Sequence, residues 1–127
     1  MVITMFKTPF FEILSQDNQP EATLFELKLN PDCEVYQGHF PEKAVAPGVC
    51  NIQMIRGCAE KMTQCPLFLY AISQCKFTAL VTPDATPLLS LRIQLTPLET
   101  AGAWKLRASL FHGEQSYLEL KAEVKAA

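Results

Sequence analysis

The chain has 127 residues, 49% of them hydrophobic and 19% charged, with a formal net charge of -2. That size buries one core and not two, and a near-neutral, slightly acidic balance disfavours nucleic-acid binding. No stretch approaches the ~20 apolar residues that span a bilayer, and the opening MVITMFKTPFFEIL lacks the basic, apolar and small-residue succession of a signal peptide. The cysteines, Cys33, Cys50, Cys58, Cys65 and Cys75, are odd in number and include no C-x-x-C pair, so neither a full disulfide set nor a zinc or other metal site is expected. The expected compartment is the reducing cytoplasm.

Residues 5–14 are apolar and aromatic around Pro9, which suits an irregular opening segment or an edge strand, because proline gives no N–H to a ladder. Ser15–Pro20 reads as a turn cluster. Residues 22–30 alternate, with Phe25, Leu27 and Leu29 on one side and Leu24, Glu26 and Lys28 on the other, which predicts a strand with one buried face. Asn30-Pro31-Asp32 stops it.

From Gly48 to about Thr63 the period changes from two to about 3.6. Val49, Ile52, Ile55, Ala59 and Met62 recur as a helical stripe flanked by Met54 and Cys58, while Arg56, Glu60, Lys61 and Gln64 take the opposite side. Such a helix is roughly 24 Å long. Gly57 inside it costs about 1 kcal/mol against alanine, which points to close packing, and Pro66 fixes the end. Strands follow at residues 67–80 and 88–96. In the next two, Trp104, Leu106, Ala108 and Leu110, then Leu118, Leu120, Ala122 and Val124, alternate with polar residues across a short connection at His112–Gln115. One helix and four consecutive antiparallel strands predict a single α+β domain over residues 1–127, with the helix on one face of a curled sheet.

The candidate chemistry lies in the loop ahead of the helix. Gly38-His39-Phe40-Pro41, continuing through Val45-Ala46-Pro47-Gly48-Val49 to Gln53, sets one histidine beside a helix N-terminus with unpaired N–H groups and partial positive charge. The Gly48 amide can polarise a carbonyl while His39 handles a proton. A proline-rich turn with an incidental histidine gives the same pattern. His112, at a hairpin tip, reads as an ordinary exposed residue. Glu60 is the next carboxylate along the helix, ~10 Å beyond Gln53 and too far to replace it. Glu42 lies in the loop itself, and Cys50, at the helix start, is open to a dipole-lowered thiol pKa or to a packing role.

The run GHFPEKAVAPGVCNIQMI resembles the signature of the β-hydroxyacyl-ACP dehydratases, a hotdog-fold family. The resemblance implies one long central helix wrapped by a curled antiparallel sheet. It makes His39 the acid/base on the substrate's C2 and C3, and gives the Gly48 N–H to the thioester carbonyl. Gln53 stands where the family has a Glu or Asp contributed from the partner subunit, and a carboxamide cannot exchange a proton as a carboxylic acid does. Phe40, Val49 and Phe77 are the substrate-binding positions it suggests. Gln74-Cys75-Lys76-Phe77 with Val81-Thr82-Pro83-Asp84 resembles the family's Lys-Phe strand and Val-x-Pro-Gly-Asp turn, without the glycine.

The implied activity is that of a 3-hydroxyacyl-ACP dehydratase, a hydro-lyase of fatty-acid or polyene-type lipid synthesis. A hotdog thioesterase or a non-catalytic partner subunit are the alternatives. The family needs no cofactor of its own, the substrate riding on the phosphopantetheine of an acyl carrier protein. That acidic partner would meet basic residues drawn from Lys7, Lys43, Arg56 and Lys76, although each also reads as an ordinary solvated charge. A homodimer or larger assembly, or a heterodimer with a homologue, is expected.

Overall fold

Alternation of apolar and polar residues at period two builds most of this molecule, and one change of period builds its single described helix. The computed structural model describes residues 10–30, 33, 48–79, 81 and 87–127. In chain order these form β1 (Phe11–Asn18), β2 (Thr23–Leu29), α1 (Gly48–Thr63), β3 (Leu67–Phe77), β4 (Leu88–Pro97), β5 (Ala103–His112) and β6 (Gln115–Ala126). The strands make one six-stranded antiparallel sheet in the order β1-β2-β4-β5-β6-β3. Although β3 precedes β4 in the chain, it crosses to the far edge and pairs with β6.

Phe25, Leu27 and Leu29 of β2 are fully buried, as the alternation predicts. Leu89, Leu91 and Ile93 of β4, Leu106 and Leu110 of β5, and Leu118, Leu120 and Val124 of β6 continue the same inner face. Met54, Ile55, Cys58 and Ala59 of α1 join them in one hydrophobic cluster. Two glycines set the tightest corners. Gly113 has φ +58° in the two-residue connection between β5 and β6, and Gly102 has φ +78° just before β5. Among the described residues no helix is long and apolar enough to cross a membrane.

Three expectations need correction. Ser15–Asn18 is strand, because after a bulge between Ile13 and Ser15 these residues pair with Glu26–Thr23 of β2. The turn comes later, where the Gln19 N–H donates to the Ala22 carbonyl at 2.9 Å. A solvent-facing edge strand has no need of apolar alternation.

The buried stripe of α1 is also rotated from its predicted centre. Met54, Ile55, Cys58 and Ala59 are at 0–1% exposure, Ile52 and Met62 are half-buried, and Asn51 is buried within the stripe. Gly57 is buried too, in keeping with close packing there.

Glu60, expected on the outer side of the helix, is buried. Its Oε2 accepts the Leu67 N–H at 2.7 Å and so ties the end of α1 to the first residue of β3. Gln64, with φ 58°, turns the chain between them, its N–H donating to the Glu60 carbonyl at 2.9 Å.

Candidate active site at the start of the helix

Helix α1 begins at Gly48, and its first turn contains no acidic residue. The first N–H groups of a helix have no partner within it, so a helix end of this kind carries a partial positive charge that suits an oxygen ligand. Gln53 lies five residues further, about 7.5 Å along the axis. It is exposed, a property it shares within α1, among residues whose exposure is described, only with Lys61. A long polar side chain is therefore exposed beyond the first turn, its Cβ tilted back toward the helix start. His39, Phe40 and Glu42 lie outside the described residues, as do Lys7, Lys43 and Thr82–Asp84, and of Val49 only the backbone is described, within α1.

Sequence reasoning passed over Asn51. It is 3% exposed, and its side-chain Oδ1 is buried without a hydrogen-bond partner among the described residues. Its position, three before Met54 and seven before Cys58, puts it on the buried stripe, and a polar residue in that spacing was the available signal. Cys50 is buried beside it, and burial first, then the nearby Cys33 thiol, pushes its pKa up. The dipole-lowered thiol considered from the sequence is thus not what the environment produces, and a packing role stands. His112 is exposed at its hairpin tip.

Phe77 ends β3 and is 52% exposed. The register explains why this matters. Leu69, Ile72, Cys75 and Phe77 face Val124, Ala122, Leu120 and Leu118 across the β3–β6 ladder, so all four point to the core side of the sheet. The β6 row is at 0–2% exposure, yet Ile72, Cys75 and Phe77 opposite it are exposed. The inner face is left uncovered along the second half of β3 as an apolar shelf. Lys76, on the other face, stands opposite Glu119. Arg56 is half-buried, with its Nε lacking a partner. Lys76 is exposed, as an ordinary solvated charge would be, and the two do not form one patch, since they sit on the sheet's outer face and on the helix.

A curled six-stranded antiparallel sheet packed on one helix defines the hotdog class, and solved structures share it. One chain of the dehydratase heterocomplex ApeI:P from Xenorhabdus doucetiae superposes with a TM-score of 0.64 at 21% identity, over 90% of this chain and 96% of that one. An uncharacterized protein from Erwinia carotovora subsp. atroseptica gives 0.57 at 20% identity, over 91% and 93%. The dehydratase domain from the CurJ module of curacin polyketide synthase gives 0.58 at 14% identity, over 91% of this chain and 41% of that one. At these identities the likeness is one of fold. No curated protein sequence matches.

The narrower assignment comes from the sequence family. Residues 15–110 match the ApeI-like model, described as ApeI dehydratase, and the chain belongs to that dehydratase family.

Proposed function

We propose that this protein is a hydro-lyase acting on 3-hydroxyacyl thioesters carried by the phosphopantetheine of an acyl carrier protein, in the cytoplasm and without a cofactor of its own. The observation that carries the reading is the acid-free first turn of α1 with the exposed Gln53 beyond it. In the forward direction the Gly48 N–H donates to the thioester carbonyl as negative charge develops on its oxygen. His39 removes the C2 proton, the C3–O bond breaks, and the same histidine returns the proton so that hydroxide leaves as water. The Gln53 carboxamide donates a hydrogen bond to that hydroxyl but supplies no proton. Phe40, Val49 and Phe77 line the acyl path, and the shelf at Ile72 and Phe77 offers the apolar surface such a chain needs.

Gln53 also supports a second reading, a partner subunit that completes a site with a homologue. The dehydratase heterocomplex ApeI:P, one chain of which shares this fold, fits that alternative. The test is hydration of a crotonyl thioester on carrier protein. Hydration by the chain alone supports the enzyme. Activity only after co-expression with a homologue carrying the missing acid supports the partner subunit, and thiol release without hydration replaces both with a thioesterase.

A further inference from the structure

The face of the sheet turned away from α1 carries a feature that the acyl chemistry does not use. On β4, β5 and β6 the residues alternating with the core form two neighbouring rungs. Arg92 stands opposite Ser109 and Ser109 opposite Glu119; Gln94 stands opposite Arg107 and Arg107 opposite Lys121. These six side chains line a cavity of about 250 Å³. Like charges set directly opposite each other on a sheet are destabilising. Arg107 and Lys121 are placed so, with a third cation, Arg92, one rung away.

The nearby acids each accept a neutral hydroxyl, and one of them, Glu119, lines the cavity itself. Glu119 accepts the Ser109 hydroxyl at 2.5 Å and lies opposite Lys76 on β3. Glu26 on β2 accepts the Ser90 hydroxyl through both oxygens, at 2.9 and 3.1 Å. Glu123 lies opposite Lys105 and accepts the Tyr70 hydroxyl at 3.5 Å. Among the described residues no ion pair joins Arg92, Arg107 or Lys121 to a carboxylate. Three cations from three strands thus share one cavity with a single carboxylate, Glu119, whose Oε2 already accepts the Ser109 hydroxyl, so the lining keeps an excess of positive charge.

The geometry points to an oxyanion site in this cavity for a phosphate dianion, free or as a phosphomonoester. Cross-strand neighbours stand ~5 Å apart and diagonal ones ~7 Å, so two guanidinium forks and one ammonium reach the same tetrahedral group. Gln94 supplies an uncharged donor beside them. The extent of the patch favours a small dianion over a nucleic acid or an acidic protein surface. The rungs on either side are Thr96–Lys105–Glu123 and Ser90–Phe111–Ser116, so the excess positive charge ends after two rungs.

The test is a nitrogen-15 NMR titration of the full chain with inorganic phosphate, chloride holding the ionic strength constant. Saturating shifts confined to the amides of residues 92–94, 107–109 and 119–121 are expected. Arg107→Gln should weaken the apparent Kd about tenfold, the scale of one charge-assisted contact, while Lys105→Gln on the next rung should leave it within about twofold. A parallel titration with phenyl phosphate separates the sources. Tighter binding than phosphate assigns the site to an organic phosphomonoester, and equal or weaker binding assigns it to free phosphate. Shifts that never saturate, shifts spread over all exposed lysines and arginines, or an unchanged Kd in Arg107→Gln would each overturn the proposal.

Discussion

Removing the Glu60 carboxylate tests the joint between α1 and β3. Its Oε2 accepts the Leu67 N–H at 2.7 Å, and Leu67 is itself only 3% exposed, so in Glu60→Ala water cannot easily replace the lost acceptor. A buried hydrogen bond to a charged group contributes ~1.5–3 kcal/mol, and an orphaned buried N–H costs a comparable amount. Against this, the carboxylate is desolvated and its Oε1 has no partner, so its removal returns part of that penalty. The balance is a loss of about 2 kcal/mol. For a chain of this size that is a fall in Tm of roughly 6–10 °C. Glu60→Gln keeps an acceptor for Leu67 and should lose about half as much. Urea unfolding of the three proteins at neutral pH measures both differences. If Glu60→Ala loses less than about 0.5 kcal/mol, the carboxylate does not hold the joint and the burial argument fails.

Other outcomes are expected of the same protein. Gln53→Glu, at an exposed position that the fold tolerates, should raise crotonyl-thioester hydration about tenfold or more by restoring a proton donor. No gain, with the circular dichroism spectrum intact, would send the search for the acid elsewhere. His39→Ala should lower the same activity by ~10²- to 10⁴-fold, and wild-type turnover in that variant would remove His39 from the site. Burial pushes the Cys58 thiol up to about 12 from 9.0, so the folded state holds a proton there that the unfolded chain releases. Its contribution to stability is complete below pH 9.0 and is lost as pH rises toward about 12. Unfolding free energy measured from pH 8 to 10.5 should therefore fall less steeply in Cys58→Ala, and parallel slopes would refute this.

Much of the architecture is legible because a buried sheet face writes period two and a buried helix writes period 3.6, and both patterns stand clear from Thr23 onward. What local pattern cannot show is which strands meet. β3 and β4 are neighbours in sequence, yet β3 lies across the sheet beside β6, and only tertiary pairing sets that order. Ser15–Asn18 misled for a related reason, since turn-forming side chains are acceptable on a solvent-facing edge when the backbone has a partner. Glu60 misled because a charge usually marks the wet side of a helix, and the exception depends on a backbone N–H seven residues away. The candidate site divides likewise. The motif names Gly48 and Gln53 from sequence and the helical spacing could have named Asn51, whereas its unpartnered Oδ1 and the uncovered row on β3 emerge only from packing and register.

That uncovered row bears on assembly. β3 is an edge strand, so its outer row of N–H and C=O groups has no neighbour among the described strands, and its inward side chains Ile72 and Phe77 stay 46% and 52% exposed. An open edge and an apolar shelf are separate liabilities, the first a template for strand pairing and the second a surface that water disfavours. Here one strand has both. Pairing of β3 with a second chain, a copy or a homologue, would satisfy the ladder and bring a second body over the shelf in the same event. The protein is therefore expected to sediment as a dimer or larger at micromolar concentration. Ile72→Lys, which alters a side chain already exposed in the single chain, should shift it toward monomer without lowering its secondary-structure content. A stable wild-type monomer would leave the shelf to the substrate alone, and a variant as dimeric as the parent would place the interface on another strand.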